Sequence, residues 1–486
     1  MQFDSLTYFL FVPAVWLVYM LMPAGGRWAV LLAASVFFYA ALHAPLLIVA
    51  WVFVVAVSFV AGLRIADASE DRERKRMLWV GVFANVAILG GIKYLRPLVH
   101  AVYPTGNTDP RWFVTLGVSY YTLQAISYLA DLYLGVTEPE RHFGRFALYL
   151  GFFPKLLQGP IERADELLPQ LHLLRGFNYD NVRGGMALFA WGLFKKVVVA
   201  NRLSPFVNAV YQDPHGYSGV TLAAATYMYA IQIYADFSGY TDMALGVAQM
   251  FNIRLTQNFN SPYLATSVAD FWRRWHISFS RWILDYIFKP LQMEWRDART
   301  LGVAAALMVT FVFSGLWHGI SATFLVWGAL HGLFLTTSVL VKATKKATSR
   351  PPTLVGHHRL RRFVQVFVTF NLVTFAWIPF RARSLADAWY VATHLLSTTS
   401  THVSPFSAQS SGVAALLNPV LMDQGLLSFA LLVISVALMS AGNYLRKRIR
   451  VQAQPVWIRW SLYYTLVLAL IYLSVYNDVG FVYFQF

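Results

Sequence analysis

Apolar stretches of about 17 to 25 residues, the length that crosses the hydrocarbon of a bilayer, recur from one end of the chain to the other. They begin near Leu6, Trp28, Pro45, Leu78, Phe113, Met186, Thr221, Gly302, Thr323, Val364, Leu426 and Trp457. Polar residues collect between these stretches instead of alternating within them, so the pattern predicts about eleven or twelve membrane helices. One or two of these can be re-entrant, because hydropathy does not separate a short span from a half-helix. The first apolar run follows Met1-Gln2-Phe3-Asp4-Ser5, which lacks the basic head of a cleaved signal peptide, and it reads as a retained span. No repeat that would mark a solenoid is visible, and nothing sets off a separate soluble domain. The expectation is an all-α polytopic membrane protein with one domain over residues 1–486.

One stretch has a different pattern. Read as a helix, Trp272, Trp275, Phe279, Trp282 and Tyr286 fall at three- and four-residue steps along one face. Asp270, Arg274, Ser278, Arg281 and Asp285 line another. Aromatics on one side and charges on the other predict a helix lying in the membrane interface, not one that crosses it.

Composition supports the membrane class. The chain is 57% hydrophobic and 13% charged, about half the charge of a soluble domain, which excludes a water-soluble globule of this size. The absence of cysteine excludes disulfides, thiolate metal sites and cysteine nucleophiles, and neither a metal site nor a permanently bound cofactor is expected. The net charge of +16 does not indicate nucleic acid, because the basic runs lie between apolar spans. Arg72, Arg74, Lys75 and Arg76 follow the third span. Lys342, Lys345, Lys346, Arg350, Arg359, Arg361 and Arg362 follow the ninth, and Arg446, Lys447, Arg448 and Arg450 the eleventh. All three runs come after odd-numbered spans, so one orientation satisfies them together: basic runs in the cytoplasm and both termini outside. The aromatic-faced helix then lies on the cytoplasmic side.

Candidate chemistry lies in the middle third. Asp236-Phe237-Ser238-Gly239-Tyr240-Thr241-Asp242 brings two carboxylates and a glycine to the end of an apolar run. It reads either as a broken helix lining a cavity or as a new helix capped by Thr241, with Asp242 at its positive end. Arg273, Arg274 and Arg281 suit the phosphates of a nucleotide-bearing donor or of lipid headgroups. His276 adjoins the aromatic face and reads equally as a packed histidine. Gly315-Leu316-Trp317-His318-Gly319 puts an imidazole in or near an apolar span, where a buried ionisable group is functional by default. Histidine also suits general-base work near neutral pH, although a membrane histidine also serves simply to bridge two helices. His331, in Trp327-Gly328-Ala329-Leu330-His331-Gly332, poses the same question with weaker flanks.

Taken together these segments resemble the membrane-bound O-acyltransferase family. The resemblance is to its bacterial branch of alginate and peptidoglycan O-acetyltransferase and teichoic-acid D-alanyl transferase membrane subunits. It is carried by Phe152-Phe153-Pro154-Lys155-Leu156-Leu157-Gln158-Gly159-Pro160-Ile161, by Asp236–Asp242, by Phe271-Trp272-Arg273-Arg274-Trp275-His276-Ile277-Ser278 and by Gly315–Gly319. These segments stand in order within a core of about residues 152–380, and a further match lies in the aromatic tail, residues 480–486. The Gly-Gly-Asn stretch that alginate-type members often carry is absent: Pro290-Leu291 runs into Gln292-Met293-Glu294, which points away from alginate itself.

The resemblance implies a ring of tilted helices in a bacterial inner membrane, with a funnel on each side meeting near a catalytic histidine matched by His318. His276 matches a second family histidine. The implied donor is a cytoplasmic thioester, acetyl-coenzyme A or an acylated carrier protein. The implied acceptor is an extracytoplasmic polysaccharide or peptidoglycan, reached through a periplasmic or extracellular partner protein with a serine nucleophile. Transfer of an acetyl group is expected, with Trp317, Asp236 and Asp242 beside the three arginines as candidate substrate contacts. Gly480-Phe481-Val482-Tyr483-Phe484-Gln485-Phe486 reads by composition as an aromatic belt. By resemblance it is a family tail whose tyrosine, Tyr483, carries the acyl group. The alternative within the enzyme class is a D-alanyl transferase using a carrier protein. The alternative of another class is a transporter of lipid-linked sugar or small solute, which would show paired broken helices in matching halves; the Gly- and His-rich segments sit only in the middle third.

Overall fold

A computed structural model describes residues 3–102, 116–348, 358–397, 425–448 and 453–475. Among them all regular structure is helical, and each of the twelve apolar stretches carries a helix over all or part of its described length. Among the described residues seven helices are long and apolar enough to cross a membrane: Pro45–Asp67, Asp71–Lys93, Arg296–His318, Ala322–Val341, Arg359–Arg381, Phe429–Arg446 and Val456–Leu473. Leu6–Leu21 and Ala24–Ala40 are apolar but shorter. The protein is therefore a polytopic α-helical membrane protein. Large apolar side chains such as Leu462, Val467, Leu468 and Ile471 stand exposed along Val456–Leu473, as expected of a helix whose solvent is lipid.

The remaining expected spans are helices of a different kind, because they carry polar groups inward. The run from Met186 becomes the helix Tyr179–Phe194, a π-helical stretch Lys195–Ala200 and the helix Asn201–Gln212. Lys195 and Lys196 in that stretch are buried. The run from Thr221 becomes the helix Gly219–Met250, with Gln232, Asp236, Ser238 and Thr241 buried along it.

The chain forms two compact units. The first comprises residues 1–192 and 240–257 and the second residues 193–239 and 258–486. In the first, Pro45–Asp67, Asp71–Val102 and Val118–Tyr133 pack together. This unit also holds a buried polar cluster: the Lys155 ammonium donates to Gln124 Oε1, and the Glu162 carboxylate accepts from the Thr256 amide at 2.7 Å and its hydroxyl at 3.0 Å. Burial pushes the Lys155 ammonium down and the Glu162 carboxyl up, since each charged form loses its hydration.

In the second unit Arg299–His318 and Ala322–Thr348 form a tight helical hairpin. A Cβ on Gly315 would fall 2.3 Å from the Phe324 carbonyl oxygen, and one on Gly328 2.3 Å from that of Phe311. Only glycine at both positions lets the two backbones approach this closely, as small residues do between membrane helices.

Candidate active site

His318 is the last residue of the helix Arg299–His318. Gly319 ends that helix in an extended conformation, with φ 172° and ψ 166°, and its amide still donates to the Gly315 carbonyl at 3.3 Å. The next helix begins at Ala322, so the imidazole sits at the bend of the hairpin. It is 6% exposed, with Trp327 and Phe380 edge-on at 5.0 Å each and Trp317 at 4.8 Å between ring centroids.

His276 reaches the same unit by a different route. The expected single interfacial helix is broken: Val268–Trp272 stops, residues 273–276 turn, and Ile277–Ile283 starts again. His276 itself has φ 43°, in the left-handed region, a conformation that persists only where surrounding contacts dictate it. Asn258 supplies those contacts, its carbonyl accepting from the Ile277 amide at 3.0 Å and its Oδ1 from the Ser278 amide at 3.1 Å. The break changes what the aromatic positions do. Trp272, Trp275, Phe279 and Trp282 are all buried among protein side chains and do not lie on a membrane surface, which corrects the amphipathic reading of that segment.

Phe279 and Trp317 stack with centroids 4.3 Å apart and stand between the two histidines. His276 lies 5.1 Å from Phe279 and 6.1 Å from Trp317, and His318 lies 6.2 Å and 4.8 Å from the same two rings. Phe237 closes the far side of His276 at 4.8 Å. The structure thus brings His276, His318 and Trp317 into one apolar, aromatic-walled cluster. His276, outside the apolar spans, is held neutral: burial pushes its imidazole down to about 3, because a charged ring there would lose its hydration.

The acidic candidates separate. Asp236–Asp242 is neither a broken helix nor a new helix start, since Gly219–Met250 runs through it. Asp236 belongs to the second unit and forms an ion pair with Lys196 at 2.8 Å, both side chains 1% exposed. Lys195 beside it donates to the Ser238 carbonyl and hydroxyl at 2.9 and 3.0 Å. This lock fixes the helix one residue before Phe237, the wall of His276. Asp242 falls in the first unit and is partly buried.

Arg273 and Arg281 are exposed. Arg274 is held at 2.9 Å by Asp270. Burial pushes the Asp270 carboxyl up, but the Arg274 hydrogen bond, the Thr266 amide and the two arginine charges outweigh it, leaving the group below its usual range. Among the described residues no cluster of three or more histidine and acidic side chains could hold a metal ion.

Tyr483 and residues 480–486 lie outside the described residues. The chain leading to them is anchored on the π-helical stretch Lys195–Ala200 and the first residues of the helix Asn201–Gln212. The Val475 amide donates to the Val197 carbonyl at 2.8 Å, Asn201 Nδ2 to the Val475 carbonyl at 2.9 Å and the Arg202 guanidinium to the Leu473 carbonyl at 2.6 Å.

Sequence reasoning missed Lys195, Lys196, Phe380 and Asn258, and named Trp327 only as a flank of His331. Two adjacent lysines inside Leu193-Phe194-Lys195-Lys196-Val197-Val198-Val199 were the available signal, because an ammonium in an apolar run requires a partner.

The model of the membrane-bound O-acyltransferase family matches residues 141–380. A peptidoglycan O-acetyltransferase of Helicobacter pylori is 32% identical over 442 residues, covering 83% of this chain and 81% of that protein. A probable alginate O-acetylase of Azotobacter vinelandii is 33% identical, covering 78% and 75% respectively. A teichoic acid D-alanyltransferase of Streptococcus thermophilus is 26% identical, covering 60% and 73%.

Proposed function

Since the chain belongs to the membrane-bound O-acyltransferase family and is an O-acyltransferase, we propose that it moves an acetyl group from a cytoplasmic thioester to an extracytoplasmic polysaccharide or peptidoglycan. The observation that carries this reading is the aromatic cluster enclosing His276, Trp317 and His318 at the bend of a glycine-packed hairpin. The relatives named for peptidoglycan and alginate acetylation are about equally similar, which supports acetyl as the acyl group and a polymer of that class as the acceptor. The protein lies in a bacterial inner membrane with its basic helix ends in the cytoplasm.

His318 is the general base. An acceptor hydroxyl attacks the thioester carbonyl carbon, and His318 takes the hydroxyl proton as the carbon–oxygen bond forms. The carbon–sulfur bond then breaks, and the imidazolium returns the proton to the departing thiolate. The aromatic walls exclude water, which would otherwise hydrolyse the thioester. His276, neutral by burial, orients the donor without competing for the proton. Asp242 plays no part in this scheme, and Asp236 acts only through its lock with Lys196.

The donor is held by Arg273, Arg274 and Arg281, whose guanidinium groups pair with phosphate. In inverted membrane vesicles, which expose the cytoplasmic face, donor turnover is expected, and right-side-out vesicles should show none. The double variant Arg274→Gln, Arg281→Gln should raise donor KM about three- to ten-fold at low ionic strength and less at high salt. An unchanged KM would leave these residues as lipid-headgroup contacts.

The first acceptor is Tyr483. A phenol of pKa about 10 is easier to deprotonate than an aliphatic hydroxyl, and its ester remains activated enough to pass the acetyl onward to a serine of an extracytoplasmic partner protein. The anchoring of Val475 on Val197 and Asn201 supports this, because it fixes the start of an eight-residue reach of at most roughly 28 Å. Tyr483→Phe keeps the ring and removes the hydroxyl, so polymer acetylation should fall to background while donor binding is unchanged. Wild-type acetylation by this variant, with no acetylated C-terminal peptide in mass spectra of the intact enzyme, would make the tail an anchor only.

A further inference from the structure

His331 is fully buried on the helix Ala322–Thr348, and acyl transfer as described above does not use it. The Trp272 indole Nε1–H donates to His331 Nδ1 at 3.2 Å. An indole nitrogen donates and does not accept, so Nδ1 is the bare nitrogen and the imidazole proton sits on Nε2. That Nε2 has no hydrogen-bond partner among the described residues. A buried N–H left unmatched is unfavourable, so an apolar side chain of similar volume would pack here at less cost. What an apolar side chain lacks is the acceptor for Trp272.

The position of Trp272 shows what that acceptor does. Trp272 ends the helix Val268–Trp272, and the chain then turns through Arg273, Arg274 and Trp275 into the left-handed residue His276. Asn258 grips the downstream side of this turn through Ile277 and Ser278. The indole bond to His331 grips the upstream side. Trp327, one helical turn before His331, touches both histidines of its hairpin, with centroids 5.1 Å from His331 and 5.0 Å from His318. The segments that carry His276 and His318 therefore meet through this hydrogen bond as well as through ring contacts, Trp272 lying 4.9 Å from Phe311 and 5.8 Å from Trp327, and Phe279 stacking on Trp317.

We propose that His331 is a positioning residue, held as the Nε2–H tautomer so that Nδ1 pins Trp272 and sets the turn carrying His276 against the hairpin carrying His318. This rests on those two histidines forming the transfer site. The hydrogen bond is geometric in its effect, so its loss alters the rate of transfer and not the affinity for the donor.

The test is a set of variants assayed for acetyl transfer in membranes. His331→Leu and Trp272→Phe should each lower kcat about ten-fold, with donor KM changed less than about two-fold. The double variant should be no slower than either single one, because both remove the same bond. His331→Asn, which keeps an acceptor near the place of Nδ1, should stay within about three-fold of the wild-type kcat. Equal losses in His331→Asn and His331→Leu, multiplied losses in the double variant, or an effect confined to donor KM would overturn the proposal. If His331→Leu does not reach the membrane folded, Trp272→Phe and His331→Asn decide the matter by the same criteria. Failure of the site assignment itself registers separately, as transfer retained by His318→Ala.

Discussion

Replacing His318 with alanine should abolish acyl transfer while the protein still folds and inserts. A positioned general base contributes roughly 10²–10⁴-fold, and among the described residues no other imidazole stands at the bend of the hairpin. His276 sits across the Phe279–Trp317 stack, and His331 lies beyond Trp327 with its Nδ1 engaged. The fold should tolerate the change because Gly319 ends the helix and the Gly315–Gly328 approach holds the hairpin, neither of which involves the imidazole. The check is donor turnover in membranes alongside thermal unfolding in detergent. A folded variant retaining more than about a tenth of the wild-type rate would contradict the assignment.

The largest effect on stability should come from Lys196. Its ion pair with Asp236 has both side chains 1% exposed. Removing one member of such a pair leaves an uncompensated buried charge and costs about 3–5 kcal/mol. Lys196→Met should therefore lower the unfolding midpoint sharply and reduce membrane yield. Adding Asp236→Leu should restore most of the loss, because an apolar pair of similar volume is often close to neutral. The two-variant comparison is the diagnostic. A Lys196→Met protein within about 1 kcal/mol of wild type, or no recovery in the double variant, would mean that the pair does not lock the helix beside Phe237.

Much of this architecture was legible in the sequence, because a bilayer imposes one-dimensional rules. Among the described residues the apolar runs are helical, and His318 stood out because an ionisable imidazole in or near an apolar span is functional by default. Other features were hidden for definite physical reasons. The three- and four-residue spacing of Trp272, Trp275, Phe279 and Trp282 survives a break in the helix. Spacing alone therefore could not reveal that His276 adopts a left-handed conformation held by the distant Asn258. The glycine, threonine and aspartates of Asp236–Asp242 are good turn and cap residues locally. Burial of Asp236, Ser238 and Thr241, with Lys196 on Asp236 and Lys195 on Ser238, overrode that preference and kept the helix continuous. The Lys196–Asp236 partnership joins residues 40 apart in the chain, and no local pattern shows a pair so placed. The lysines themselves were visible as charges in an apolar run, which was sufficient to demand a partner but not to name it.

A protein that transfers acetyl groups to an envelope polymer with His318 as the base must leave its mark on that polymer. Mass spectrometry of polysaccharide and peptidoglycan fragments tests this most directly, using cells that lack the gene and cells that carry either the wild-type gene or His318→Ala. Ester-linked acetyl groups, recognised by a mass increment that mild alkali removes, should be present only with the wild-type gene. Acetylation unchanged in cells lacking the gene, or fully restored by the His318→Ala protein, would contradict the account.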